Sequence, residues 1–137
     1  MNRLNIIPIL LLVFVAGCAS GLDKAKQTVT VAAKVYGVGA DELVRADKAM
    51  TDSLKAKFDA HEISKDQAEA TFKDWVAKRT KVAMTLDELK HAVGLAGLGI
   101  SAVEAGQAKD YATVLGDLAK AVNEALAALA AAGMKVL

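Results

Sequence analysis

The sequence predicts an all-α protein, an elongated antiparallel three-helix bundle of two long helices and one shorter helix, behind an apolar N-terminal segment. Apolar residues recur in alternating steps of three and four along three separate stretches, the spacing by which one face of a helix packs. The only proline, Pro8, lies in the first seventeen residues, and Ala, Leu, Lys, Asp and Glu are prominent in the rest, a balance that favours helix over strand. The polar breaks between the stretches are short, which forces neighbouring helices to run antiparallel.

The N-terminal segment comes first. Met1-Asn2-Arg3 carries one positive charge, and the thirteen residues Leu4 to Ala16 carry none, the layout of a secretory signal. A helix of that length rises roughly 20 Å, short of the roughly 30 Å hydrocarbon core of a bilayer, so the segment reads as a signal and not as a permanent span. It ends in Val15-Ala16-Gly17-Cys18, an aliphatic residue, two small residues and a cysteine. This resembles the lipobox of bacterial lipoproteins.

The resemblance implies that the Cys18 thiol is alkylated by a diacylglyceryl group, that a signal peptidase cuts between Gly17 and Cys18, and that the new amino terminus is acylated. Residues 1–17 would then be the signal peptide, 18–22 a lipidated terminus and short linker, and 23–137 the bundle domain. Two or three acyl chains suffice for a stable membrane anchor, because a single chain binds only marginally. Residue 19 is Ala, where an Asp would by the same resemblance favour the inner membrane, so the expected place is the outer membrane, facing the periplasm. A buried, inert cysteine at the end of a core helix is the competing reading, and it leaves the preceding apolar run unexplained.

Without residues 1–17 the chain has 120 residues, one small domain by length, and Lys plus Arg falls from 17 to 16 against 16 Asp plus Glu. A formally neutral body carries no general attraction for nucleic acid. Cys18 is the single cysteine, so no disulfide forms within the chain.

In the first seam Leu22, Ala25, Val29, Ala32, Tyr36, Gly39, Leu43, Ala46 and Met50 keep phase, and Leu54 and Phe58 carry it on. One helix from about Asp23, an N-cap candidate, to about Ala60 is expected. A kink at Gly37 and Gly39, with Asp41 capping a second segment, is the alternative.

His61-Glu62-Ile63 is the connector, and Ser64 followed by Gln67 has the form of a capping box. The second seam runs Phe72, Trp75, Arg79, Val82, Leu86, Leu89, Val93, Ala96, Ile100 and Val103. Arg79 alone interrupts it, and Gly106 is the candidate terminator. Asp110 reads as the N-cap of a third helix, whose seam of Tyr111, Leu115, Leu118, Val122, Ala125, Leu129 and Ala132 stops near Gly133.

At about 1.5 Å per residue these helices are roughly 55, 60 and 35 Å long, so the third covers only the half of the hairpin nearest the lipid. Charge agrees with this: residues 41–90 hold 21 charged side chains, whereas residues 91–137 hold 7. Phe58, Ile63, Phe72 and Trp75 fall near the far tip, where they form either a contact surface or the closing layer of the hairpin core. The uncharged stretches Ala92 to Val103 and Ala125 to Met134 are too short to span a bilayer and read as bundle core.

Chemistry is sparse. Glu88 and His91 have the Glu-x-x-His spacing of a helical metal-ligand pair, but a di-iron bundle needs two such pairs and further carboxylates, so no metal or cofactor is expected. His61 beside Asp59 and Glu62 reads as solvated, with a pH-sensitive contact as the alternative. No serine has a Gly-x-Ser-x-Gly setting, and GLAGLG at 94–99 lacks the preceding strand of a dinucleotide site. No catalytic residue and no small-molecule substrate emerges, and an enzyme is not expected.

The function class expected is a non-enzymatic envelope module that contacts an envelope protein or another copy of itself. Apolar helices rich in Ala and Gly beside a lipid anchor suggest a second class, a membrane-active or pore-forming protein. Residues 60–91, with Ile63-Ser64 opening a long helix, resemble small helical lipoproteins of phages and prophages, which implies superinfection exclusion or lysis as roles.

Overall fold

The computed structural model describes residues 21–107 and 112–135. They form three helices, α1 (Gly21–Asp59), α2 (Lys65–Glu104) and α3 (Ala112–Ala131), and each packs on the other two. At about 1.5 Å per residue, 39, 40 and 20 residues give rods of about 58, 60 and 30 Å. The protein is an all-α three-helix bundle.

Helix α1 runs unbroken through Gly37 and Gly39, so no second segment capped by Asp41 begins there and Asp41 is an interior residue of the helix. The start differs from expectation as well. The helix begins by Gly21, which places Asp23 in its first turn instead of at the cap; there its charge still complements the positive end of the helix dipole.

The glycines have different reasons to be present. Gly39 is buried where three helices meet, and a Cβ there would lie 2.8 Å from Leu86 Cδ2 and 3.1 Å from Leu129 Cδ1. Gly37 is exposed, with nothing near enough for a Cβ to touch.

The core lies at one end. Every buried residue of α1 falls between Ala25 and Gly39, and α3 covers the same half. Val114 of α3 stands beside Gly99 of α2, while Leu129 reaches Gly39 and Leu86, so α3 runs antiparallel to α2. Leu89, Leu118, Leu129 and Val82 are fully enclosed. Beyond the reach of α3 the first seam keeps its phase, but Leu43, Ala46, Met50 and Leu54 are only half-buried, because two helices enclose the line between them and little else.

All three helices end in the same hydrogen-bonded turn. At α2, the Gly106 N–H donates to Val103 O at 3.0 Å and the Gln107 N–H to Ala102 O at 2.8 Å; at α3, the Gly133 N–H donates to Ala130 O at 3.0 Å and the Met134 N–H to Leu129 O at 2.9 Å. These paired bonds are the Schellman closure, which needs a left-handed residue just past the cap. Gly106 and Gly133 supply it with φ of 70° and 76°.

At α1 the same pair of bonds, from the His61 N–H to Phe58 O at 3.0 Å and from the Glu62 N–H to Lys57 O at 2.9 Å, is closed by His61 with φ 56°. A side chain in that region is strained relative to glycine. The chain then enters α2 through the expected capping box. The Gln67 N–H donates to Ser64 Oγ at 3.2 Å, and the Ser64 N–H donates to Gln67 Oε1 at 2.9 Å.

Three substitutions separate these effects in urea denaturation. Gly37→Ala raises stability by about 0.5–1 kcal/mol, the helix-propensity gain at an open site. Gly39→Ala lowers it by about 1 kcal/mol, because forcing Leu86 and Leu129 apart outweighs the same gain. His61→Gly raises stability by about 0.5–1 kcal/mol by relieving the left-handed turn.

Candidate functional site

At the connector end the four apolar residues singled out in the sequence separate by position. Phe58, the last seam residue of α1, and Phe72, in the second turn of α2, are 46% and 47% exposed, and Ile63 in the connector is half-buried. Trp75 does not belong to this surface. It is 5% exposed and part of the main core cluster, because its place in the α2 seam points it directly at α1.

A buried indole needs an acceptor, and α1 provides one. Trp75 Nε1–H donates to Asp47 Oδ1 at 2.9 Å, and Arg79 Nε lies 3.1 Å from the same oxygen. Trp75 and Arg79 are one turn apart on α2, so a single carboxylate on α1 receives both. The charged residue that interrupts the second seam is thus the partner of a half-buried carboxylate in the facing helix, and together they form a polar cross-brace in the two-helix half.

At the opposite end, Lys26 of α1 pairs with Glu104 in the last turn of α2. The hydrogen bond to Glu104 and the carboxylate's charge raise the Lys26 pKa above the usual lysine value. Lys55 is raised in the same way by Asp59 one turn along α1. The other ion pairs, such as Lys48 with Asp52 at 2.5 Å and Lys78 with Asp74 at 2.9 Å, join neighbouring turns of one helix on exposed faces, where each contributes little.

Glu88 and His91 are both exposed. Among the described residues no group of three or more His, Cys, Asp or Glu side chains is placed to hold a metal ion, no polar or charged residue is buried, and no helix is long and apolar enough to cross a membrane. Gly17 and Cys18, with the apolar N-terminal segment expected to be a signal, and Asp110 and Tyr111 lie outside the described residues.

Sequence reasoning missed Asp47 and the left-handed His61. The interruption of a seam by Arg79 was a signal for the first, since a charge on a packing face calls for a partner. No local signal marked the second. Comparison with protein-family models, with curated proteins and with solved structures finds no match to this chain.

Two measurements test this description. Asp47→Ala, which strands the indole N–H and the guanidinium, lowers stability by about 1–2 kcal/mol and alters the emission of Trp75, the only tryptophan; Asp47→Asn, which keeps an acceptor, restores most of the emission.

Because the Lys26 pKa is raised on folding, the contribution of its pair is complete below the unfolded-state lysine pKa of about 10.4 and is lost as pH rises through the higher folded value. Lys55 acts in the same window and direction. Thermal unfolding followed from neutral to strongly alkaline pH therefore shows a smaller alkaline loss for Lys26→Met than for the parent.

Proposed function

We propose that the chain is a lipid-anchored envelope lipoprotein whose helical body acts as a non-enzymatic structural or interaction module. The observation that carries this reading is the order of features in the first eighteen residues: one positive charge, thirteen uncharged residues and the box Val15-Ala16-Gly17-Cys18. A thiol carrying two acyl chains, with a third on the amine, holds a protein to a bilayer without any spanning helix.

The shape of the body supports an interaction role. Two helices of 39 and 40 residues form a rod about 60 Å long. Its connector end, farthest along the rod from Gly21, exposes Phe58 and Phe72. A rod tethered at one end presents its far end and its flanks to whatever shares the compartment, another copy or an envelope protein.

Cys18→Ser tests the anchor. The parent is expected in the membrane fraction of the envelope, with a lipid-modified N-terminal peptide beginning at residue 18. The variant should retain residues 1–17 unprocessed and carry no lipid on residue 18. A variant that is cut to the same length and pellets as the parent does would remove the basis of this reading. Dye release from liposomes by the mature protein would instead favour a membrane-active role.

A further inference from the structure

The outer face of α2 changes character along its length. From Lys65 to Lys90 it is studded with charge, but between Lys90 and Glu104 there is no Asp, Glu, Lys or Arg. The residues this second stretch exposes are His91, Gly94, Leu95, Leu98 and Ser101, positions that share the side of the helix turned away from the core seam. Leu98 is 69% exposed and Leu95 49%.

The other two helices do not share this character at the same level of the bundle. The Lys26–Glu104 pair puts the last turns of α2 beside the first turns of α1, which expose Asp23, Lys26 and Lys34 and, among large apolar side chains, Val31 at 42%. The contact of Val114 with Gly99 puts them beside the start of α3, whose outer side exposes Asp117, Lys120 and Glu124. The α2 flank of the three-helix end is therefore free of charge and carries two exposed leucines, while its two neighbours mix charged residues with at most one exposed large apolar side chain, Val31.

Chain length fixes what lies close to that flank. Gly21 is the third residue after Cys18, and three residues span at most about 11 Å. Leu98 is six residues from Glu104, about 9 Å along the helix. If Cys18 carries lipid, the apolar flank is held within reach of the bilayer surface by a very short tether, and a tether of that length turns a weak affinity into a standing contact.

We propose that the α2 flank around Leu95 and Leu98 lies on the lipid bilayer that holds the anchor, with both leucines among the headgroups and the bundle lying along the surface. The proposal rests on the lipoprotein reading and adds an orientation to it. An apolar face on a body of zero formal charge needs no anionic lipid, so the contact is insensitive to salt.

The test uses the full lipidated protein, in which acylation of Cys18 leaves an engineered cysteine as the only free thiol. Leu98→Cys and Leu95→Cys are compared with Lys120→Cys on α3, each carrying an environment-sensitive fluorophore, in phosphatidylethanolamine–phosphatidylglycerol vesicles with and without spin-labelled acyl chains. All three positions are exposed, so far-UV circular dichroism should match the parent.

The expected result is blue-shifted emission and several-fold stronger quenching at 95 and 98 than at 120, unchanged by high salt. Equal quenching at all three positions overturns the proposal. So does disulfide-linked dimer formed by Leu98→Cys alone in unlabelled vesicles, which would assign the flank to a second copy. Mass spectrometry of the Cys18 peptide separates the two failures: lipid present without selective quenching defeats only the orientation, and an unmodified Cys18 defeats both readings.

Discussion

Unequal helix length governs this molecule. α3 has 20 residues against 39 and 40 in its partners, so only half of the α1–α2 hairpin acquires a third wall. Inside that half a seam residue is surrounded; outside it the same seam position meets a single facing helix. Hence the four most enclosed large side chains, Leu89, Leu118, Leu129 and Val82, lie within or at the border of the region α3 covers, although the heptad phase of α1 continues to Phe58.

Close approach is what lets the short helix serve two long ones. The α3 face turned inward is built largely from alanine, with Ala121, Ala125 and Ala128 buried beside Leu118 and Leu129. Gly39 removes the Cβ that would hold α1 away from Leu86 and Leu129. A glycine inside a helix costs up to about 1 kcal/mol in propensity, and at this position the packing it permits offsets that cost. Small side chains here serve packing density and not flexibility, which is why α1 stays continuous.

Most of the architecture was legible in the sequence because it is encoded locally. Seam spacing marked three helices, Ser64 and Gln67 marked the start of α2, and Gly106 and Gly133 marked the two left-handed terminations. What was not legible depends on geometry between helices or on conformations that carry no compositional sign. Asp23 resembled a cap because the sequence does not say how far the helix extends ahead of it. His61 adopts a glycine-like φ in Ala60-His61-Glu62, where nothing announces a left-handed turn. Of the residues expected at the tip, Trp75 is core and Phe58 and Phe72 are exposed, a distinction set by which side of a two-helix line each occupies. The Asp47 brace required knowing the register of α1 against α2.

The two ends of the rod are consequently held by different physics. At the three-helix end the seam between the helices is enclosed by hydrophobic packing, with the Lys26–Glu104 pair and the Leu95–Leu98 flank outside the core. At the connector end burial is thin, and a polar brace of Asp47 with Trp75 and Arg79 sets the register that packing alone would leave loose. A structure with few enclosed contacts at one end is expected to open there first, so the connector half is the expected place for local unfolding and the half that α3 covers the more resistant one. An attachment at Cys18, three residues ahead of Gly21, would therefore join the membrane to the end of the molecule that resists opening. The less stable end would be left free to adapt its exposed phenylalanines to a partner, and load on such an attachment would bypass the weakest packing in the fold.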